Sequence, residues 1–261
     1  MSRKCKQKGN ALERGVSESI GFILIFSLVV TGIGIVTLYG YPLLMKQQMG
    51  TDIRIMEKTF IVLQNDVKSL VYKNVPYKET SLKIAGGMLQ AKNATETPQT
   101  LILYYNSSEE YTPFSPGELK FDADYGDTSI VLENGAVITA NRIQGGSAML
   151  SDPRWFYDTQ TGTFVISLIR FTTSGPSSRT GVGTIGLRLT DINQTIIGIE
   201  PETGFIQYIP RDSNEDYSVA WDNYFEQVLG LTKFNPDNKY QLPKETKQVV
   251  IKEYTIEILS L

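Results

Sequence analysis

Residues 14–45 read RGVSESIGFILIFSLVVTGIGIVTLYGYPLLM, and the organisation of the whole chain depends on this stretch. From Ser19 to Met45 it holds 27 residues without a charge. At about 1.5 Å per residue, an α-helix of that length measures roughly 40 Å, more than the roughly 30 Å of hydrocarbon in a bilayer. The stretch therefore predicts a transmembrane helix over 16–45 that is surrounded by the lipid bilayer.

Charge is distributed unevenly around this helix. Residues 1–15 carry five basic side chains and one acidic one, a net charge of +4, so the remainder carries −7 of the total net charge of −3. A basic segment ahead of an apolar span stays in the cytoplasm under the positive-inside rule. We therefore expect a single-pass protein of the cell membrane with a cytoplasmic N-terminus and an extracellular C-terminal domain. An acidic exported domain disfavours nucleic acid as a partner, because it offers no excess of cations to phosphates.

Beyond Lys46 the apolar residues follow a heptad repeat. They are spaced alternately four and three apart over three heptads: Met49, Ile53, Met56, Phe60, Leu63, Val67 and Leu70. This spacing is typical of an amphipathic helix and predicts a helical stalk over 46–75 that continues the membrane helix and ends before Pro76. The apolar seam of the stalk has two candidate partners, the chain's own downstream domain or the same helix of a neighbouring copy.

From residue 76 onward the sequence has the character of β-structure. Short apolar or alternating runs are separated by turn residues, and Asn134-Gly135 between two such runs is a strong hairpin signal. The segment 81–93, SLKIAGGMLQAKN, predicts two short strands around Gly86-Gly87.

One further helix is predicted within this domain. Residues 212–229 place their aromatic and apolar side chains on one helical face, with Ser213 as the N-cap and Gly230 just beyond the end. The predicted fold class is therefore α+β: a long N-terminal helix, then a β-rich, sandwich-like antiparallel domain over 76–261 with nine to twelve strands and this additional helix.

The composition limits the chemistry that the chain can perform. It contains no histidine and one cysteine. This excludes Ser-His-Asp and Cys-His nucleophile systems, removes the commonest zinc ligand and precludes a disulfide within the chain. We expect no enzymatic activity, no cofactor and no metal site. A hydrolase would require another arrangement, such as two carboxylates about 5 to 9 Å apart in a pocket.

Two kinds of candidate site remain in the exported domain. Asn93 (NAT), Asn106 (NSS) and Asn193 (NQT) match the N-glycosylation sequon, and all three are expected in loops or at strand ends. The aromatic run 155–157, WFY, predicts either a ligand-binding surface patch or core packing.

Residues 14–23, RGVSESIGFI, resemble the class III signal peptides of archaeal type IV pilins. The common form in that group reads RGVSPVIG, and Glu18 and Ser19 depart from it. Six positions match, namely Arg14, Gly15, Val16, Ser17, Ile20 and Gly21. The layout of the whole chain is also similar to that of archaeal pilin-like membrane proteins, which have the same kind of start, an apolar helix and a β-rich exported domain.

This resemblance implies processing by a prepilin peptidase. The enzyme would read Arg14 and Gly15, cut before Val16 and remove the basic cytoplasmic leader 1–15. Glu18 would then be the third residue of the mature chain and the candidate assembly residue. Bacterial pilins place the corresponding glutamate at the fifth position, where it pairs with a neighbour's amine.

The resemblance predicts a cell-surface structural protein, a pilin-like subunit or minor component of a type IV pilus-like assembly that contacts like subunits through the N-terminal helix. One alternative is a signal-anchored envelope module for binding or adhesion that does not polymerise. The other is an anchored hydrolase.

Overall fold

A computed structural model describes residues 10–73, 75–97, 99–106, 109–143, 145–175, 177–210, 216–234 and 237–261, with backbone alone for 10–18 and 109. The chain divides into two compact units, Met1–Thr51 and Asp52–Leu261.

The first unit is helical throughout its described residues. Helix α1 (Asn10–Ile35) leads through a π-helical turn (Val36–Gly40) into helix α2 (Tyr41–Lys73). Tyr41 alone separates this turn from Pro42, which has no N–H for the ladder. The N–H of Tyr41 bonds the Val36 carbonyl, five residues back, so the helix widens where proline interrupts its usual spacing.

The side chains of α1 suit a lipid environment. Phe22 is 70% exposed and Leu28 is 74% exposed, although both are strongly apolar. Among the residues that the structure describes, one helix, Ser19–Lys73, is long and apolar enough to cross a membrane. The predicted long apolar helix is therefore confirmed.

The second unit contains two sheets. Its strands are β1 (Tyr77–Lys92), β2 (Thr100–Tyr105), β3 (Glu109–Glu110), β4 (Glu118–Ala123), β5 (Thr128–Glu133), β6 (Ala136–Asn141), β7 (Ser147–Ser151), β8 (Phe156–Asp158), β9 (Thr163–Thr173), β10 (Ser178–Gly198), β11 (Phe205–Ile209), β12 (Thr232–Phe234), β13 (Lys239–Gln241) and β14 (Gln248–Ser260). The large sheet has the order β7-β6-β5-β4-β1-β10-β14-β9-β8, and the small sheet has the order β12-β13-β11-β2-β3. Helix α3 (Ser218–Asn223) continues as a π-helical turn, Tyr224–Val228.

The large sheet lies between two apolar cores. On one face it packs against α2, whose fully buried residues are Met56, Phe60, Leu63, Val67 and Leu70. On the other face it packs against the small sheet and α3. In β9, Phe164 belongs to the second core and Phe171 to the first. Because both faces are covered, the strand reads as a continuous apolar run.

This packing decides which partner the heptad seam takes. From Met56 onward the seam contacts the chain's own domain, the first of the two candidate partners. The compact unit begins at Asp52, so residues 52–73 of the predicted stalk form a core helix of the β-rich unit.

The α+β class is confirmed, and the Asn134-Gly135 hairpin is confirmed in detail. Both residues have positive φ, 47° and 75°, as a type I′ turn requires. Glu133 and Ala136 pair directly across the turn. Gly230, with φ of 67°, lies just beyond the end of α3 and its π-helical turn, as predicted. The predicted start of this helix was wrong: Ser213 lies outside the described residues, and the helix begins at Ser218 with Tyr217 as its N-cap.

Three details of the β prediction were wrong. The large sheet is not wholly antiparallel, because β14 pairs with β9 in parallel. The segment 81–93 is not two strands, since β1 runs through it with a register shift between Ile84 and Leu89. The described residues contain fourteen strands rather than nine to twelve. The excess comes from strands of two or three residues, which are too short to show a period.

The irregularity in β1 has a local cause. Gly86 has φ of 65°, and a Cβ on Gly87 would lie 2.3 Å from the carbonyl oxygen of Asp122 on β4. The two glycines therefore allow a bulge and a close backbone approach within a continuous strand, where the sequence suggested a turn.

Candidate functional site

A cleft opens on the α2 face of the large sheet, beside the last turn of the helix. It consists of two adjoining cavities of about 380 Å³ and 530 Å³. Both are lined by Tyr72, Arg154 and Phe156. The first cavity adds Val165, Ser167, Gln194, Val250 and Lys252, and the second adds Lys68, Lys73, Asp152, Pro153 and Trp155.

The sheet register builds the floor of this cleft. Gln194 on β10 lies opposite Lys252 on β14, which lies opposite Ser167 on β9. The next row places Val250 opposite Val165, and Val165 opposite Phe156 on β8. Side chains two apart on a strand share a face, so these residues line the floor together while their neighbours enter the second core.

One wall of the cleft is the segment 152–156, DPRWF. Pro153 and Trp155 are buried, and Arg154 and Phe156 are exposed. Trp155 anchors the segment by donating its indole N–H to the carbonyl oxygen of Ser167 at 2.8 Å. Alternation along an extended segment therefore turns the guanidinium and the phenyl ring toward the cleft while the indole enters the core.

Gln64 of α2 fixes this wall to the helix. Its side-chain amide donates to the carbonyl oxygens of Gly135 at 2.6 Å and Asp152 at 3.1 Å. Its carbonyl oxygen accepts from the Ser151 hydroxyl at 2.7 Å. Gln64 is 1% exposed, so a buried polar residue within the apolar seam satisfies backbone groups at the hairpin and at the start of the wall.

The charges lining the cleft are mostly positive. Four cationic side chains, Lys68, Lys73, Arg154 and Lys252, face one carboxylate, Asp152. Burial lowers the pKa of Lys68; the Asp152 carboxylate opposes this shift, and the Arg154 guanidinium adds to it. A cation-rich cleft in an otherwise acidic domain favours an anionic ligand.

Tyr72 connects the two cavities. The Arg154 guanidinium lies 4.7 Å from the centre of its ring, a cation–π contact. Burial raises the pKa of the Tyr72 hydroxyl, while a hydrogen bond with Ser167 and the charge of Arg154 partly offset the effect. These contacts hold the guanidinium over the middle of the cleft.

The structure divides the aromatic run whose role the sequence left open. Trp155 is 5% exposed and belongs to the second core, where its ring centre lies 5.6 Å from that of Trp221. Phe156 is 45% exposed and lies in the cleft. Tyr157 is half-buried against Phe164, with ring centres 6.4 Å apart. One residue of the three is therefore available to a ligand.

The predicted processing and assembly residues belong to α1. Arg14, Gly15, Val16 and Glu18 all fall within α1, where the structure describes the backbone alone. Their roles stay predictions from the resemblance.

The three sequons occupy different settings. Asn193 is exposed but lies inside β10, paired with Glu253, so its expected place in a loop or at a strand end was wrong. Asn106 is exposed in the turn after β2. Asn93 lies in a loop, and its side-chain oxygen accepts from the Thr173 N–H at 2.7 Å. Glycosylation at these residues stays a prediction.

A pair of buried glutamates forms a polar cluster between the two sheets. Glu118 and Glu133 pair directly across β4 and β5, and both are 0% exposed. Lys92 forms an ion pair with Glu118 at 2.9 Å. The amide of Gln99 donates to Glu133 at 2.9 Å, and the indole of Trp221 donates to the same carboxyl group at 3.0 Å.

This environment keeps a proton on one of the two acids. Burial, followed by the charge of Glu118, raises the pKa of Glu133 from 4.5 to about 8, and the hydrogen bonds from Trp221 and Gln99 only partly oppose the shift. Lys92 compensates the charge of Glu118. The cluster therefore holds one ion pair and one neutral acid at neutral pH.

Sequence reasoning missed the cationic residues of the cleft. Lys68 and Tyr72 are one helical turn apart, and Arg154 and Phe156 alternate with buried residues, so two local signals existed. Nothing local to β14 connects Lys252 with them, because the parallel pairing with β9 brings these positions together.

Comparison with known proteins identifies the family of the chain. No curated protein and no solved structure matches it. One family model, described as "Family of unknown function (DUF7289)", matches residues 14–257. The match covers nearly the whole chain, and this protein therefore belongs to the DUF7289 family.

Proposed function

We propose that this protein is a membrane-anchored structural protein of the cell surface, a pilin-like subunit or minor component of a type IV pilus-like assembly. The observation that carries the proposal is the continuity of one helix, Ser19–Lys73. Its first part exposes apolar side chains, and its last five turns supply a fully buried seam to the β-rich unit.

Such a helix supports both anchoring and assembly. Exposed apolar residues such as Phe22 and Leu28 need lipid or the helices of like subunits around them. The buried seam, from Met56 to Leu70, belongs to the β-rich unit. The family match begins at Arg14, so the candidate processing motif lies inside the shared region.

In this proposal the basic leader 1–15 is cytoplasmic and a prepilin peptidase removes it before Val16. The helix over 16–45 then crosses the bilayer once, and the β-rich unit is extracellular. Glu18 near the new N-terminus interacts favourably with the helix dipole and is the candidate contact for a neighbouring subunit. Catalysis has no part in this function.

The test is processing and fractionation in the native cell. Gly15→Leu should leave the leader uncleaved and keep the protein out of surface filaments released by shearing. Gly9→Leu, the matched control within the leader, should be processed and should appear in the sheared fraction like the wild type. Identical maturation of both variants would contradict the proposal.

The cleft favours a second candidate function, an envelope module for binding or adhesion that is anchored but does not polymerise. A cation-rich, partly aromatic cavity is not needed for helix-driven assembly. This alternative predicts that the protein stays with the membranes and is absent from sheared filaments. Presence in the filaments would exclude it.

A further inference from the structure

We propose that the cleft beside the end of α2 binds an acidic carbohydrate chain. Arg154 and Lys252 would bind the carboxylates of the sugar, and Phe156 would pack against a sugar ring. The proposal goes beyond the structural role above. It requires only the folded unit Asp52–Leu261, whether or not the chain polymerises.

The charge of the cleft favours an anionic ligand. Four cations and one carboxylate line it, in a chain whose net charge is −3. Asp152 lies near Lys68, so the excess of cations falls on Arg154, Lys73 and Lys252. The guanidinium of Arg154 is held by its contact with Tyr72 and is therefore preorganised for a planar carboxylate.

The aromatic and polar residues of the cleft suit a sugar. Phe156 is 45% exposed next to the floor formed by Val165 and Val250, so a flat apolar surface lies within the cationic cleft. Exposed Gln194 adds an amide that can donate to and accept from hydroxyl groups. Apolar ring faces, hydroxyls and carboxylates occur together in acidic sugars.

The shape of the cleft suits a chain of several sugars. Its floor crosses four strands from Gln194 on β10 to Phe156 on β8, a distance of about 14 Å at about 4.8 Å per strand. The two cavities share Tyr72, Arg154 and Phe156 in their linings and therefore lie side by side. An elongated, open site of this kind suits several linked sugar units better than a single small anion.

The same floor argues against an acidic peptide. An extended peptide gains most of its affinity from main-chain hydrogen bonds to a free strand edge. Here β10, β14 and β9 are paired on both sides, so their backbone groups are already bonded, and the free edge beside the floor is limited to the three residues of β8. The floor therefore presents side chains rather than free backbone groups, and a sugar can be bound through side chains alone.

Calorimetric titration of the purified full-length chain in an uncharged detergent tests the proposal. The probe is an α-1,4-linked oligogalacturonate, and a neutral galactose oligomer of equal length is the reference. We expect the acidic oligomer to bind about tenfold or more tightly than the neutral one, and its affinity to fall as salt is added.

Variants separate the cleft from general charge. Arg154→Gln with Lys252→Gln should weaken binding of the acidic oligomer about tenfold. Lys58→Gln with Lys83→Gln removes two exposed cations outside the cleft and should change the affinity by less than about twofold. Phe156→Ala should weaken binding about fivefold through loss of ring packing. Far-ultraviolet circular dichroism should be unchanged in all variants, because the altered side chains are at least partly exposed.

Four outcomes would overturn the proposal. These are no binding of the acidic oligomer by the wild type, an equal loss in both double variants, tighter binding of poly-glutamate with no effect of Phe156→Ala, and tighter binding of phosphatidylglycerol in mixed micelles that Arg154→Gln with Lys252→Gln weakens. The third would indicate an acidic peptide and the fourth a lipid surface. None of them bears on processing before Val16, so failure here is distinct from failure of the structural role.

Discussion

Glu133 makes the stability of the β-rich unit depend on pH in a direction that can be measured. In the folded chain its pKa is about 8, against an ordinary value of 4.5. The unfolded chain therefore ionises Glu133 above about pH 4.5, whereas the folded chain keeps it protonated until about pH 8. The folded state binds more protons in this window, so the free energy of unfolding falls as the pH rises.

The size of the effect follows from the shift. The rise in the pKa of Glu133 from 4.5 to about 8 corresponds to about 5 kcal/mol in full, because a tenfold change in an equilibrium constant corresponds to about 1.4 kcal/mol. Between pH 5 and pH 8 the contribution of this group should fall by roughly 3 to 4 kcal/mol. Its stabilising effect is complete below about pH 4.5 and is lost as the pH approaches 8.

Glu133→Gln is the perturbation that isolates this group. It keeps the size of the side chain and its acceptor for the Trp221 indole, but it cannot ionise. Rotation of the Gln99 amide can provide an acceptor for the new N–H group, because the carbonyl oxygen of Gln99 has no hydrogen-bond partner among the described residues. We expect the variant to lose most of the fall in stability between pH 5 and pH 8 and to exceed the wild type in stability at pH 8.

Urea unfolding followed by tryptophan fluorescence measures this directly. Both tryptophans of the chain, Trp155 and Trp221, lie in the second core, and Trp221 donates directly to Glu133. The control Glu245→Gln removes an exposed carboxylate and should keep the wild-type dependence on pH. If Glu133→Gln also keeps that dependence, burial does not hold the proton on Glu133 and the reasoning is refuted.

Three further variants and one control, Val62→Ala, test the packing, each by urea unfolding at pH 6. Phe60→Ala should lower the free energy of unfolding by about 3 to 5 kcal/mol, because Phe60 is 0% exposed in the α2 seam. The control Val62→Ala changes a side chain that is 50% exposed and should lower it by well under about 1 kcal/mol. Equal effects of the two variants would contradict the orientation of the helix. Gln64→Leu should cost about 1 to 3 kcal/mol by leaving the Gly135 carbonyl unpaired, and a neutral result would mean that water replaces the amide. Gly87→Ala should destabilise by more than about 2 kcal/mol because its Cβ would lie 2.3 Å from a backbone oxygen, and retained stability would show that β1 can move aside.

The helical part of the fold could be predicted from the sequence because its signals are local. The absence of charge from Ser19 to Met45 and the heptad from Met49 to Leu70 both repeat within a few residues. The buried apolar residues of α2 from Met56 to Leu70 are the predicted seam positions, whereas the buried Gln64 was not predicted. The hairpin at Asn134-Gly135 was predictable for the same reason, since one dipeptide determines it.

The parallel pairing and the cleft could not be predicted because they depend on distant parts of the chain. Val165 on β9 lies beside Val250 on β14, and no local pattern encodes that neighbourhood. The bulge at Gly86 depends on the backbone of β4, which approaches Gly87 from outside the segment. Lysines such as Lys252 look like ordinary solvated charges until the sheet assembles them with Arg154. Local periodicity therefore determines the elements, and long-range register determines the candidate site.

The N-terminal residue of the native protein tests the central claim most directly. The protein should be extracted from native membranes and its N-terminal peptide identified by mass spectrometry. A pilin-like subunit processed by a prepilin peptidase predicts a mature chain that begins at Val16 and keeps the apolar helix. A native chain that still carries residues 1–15 would contradict the pilin-like account.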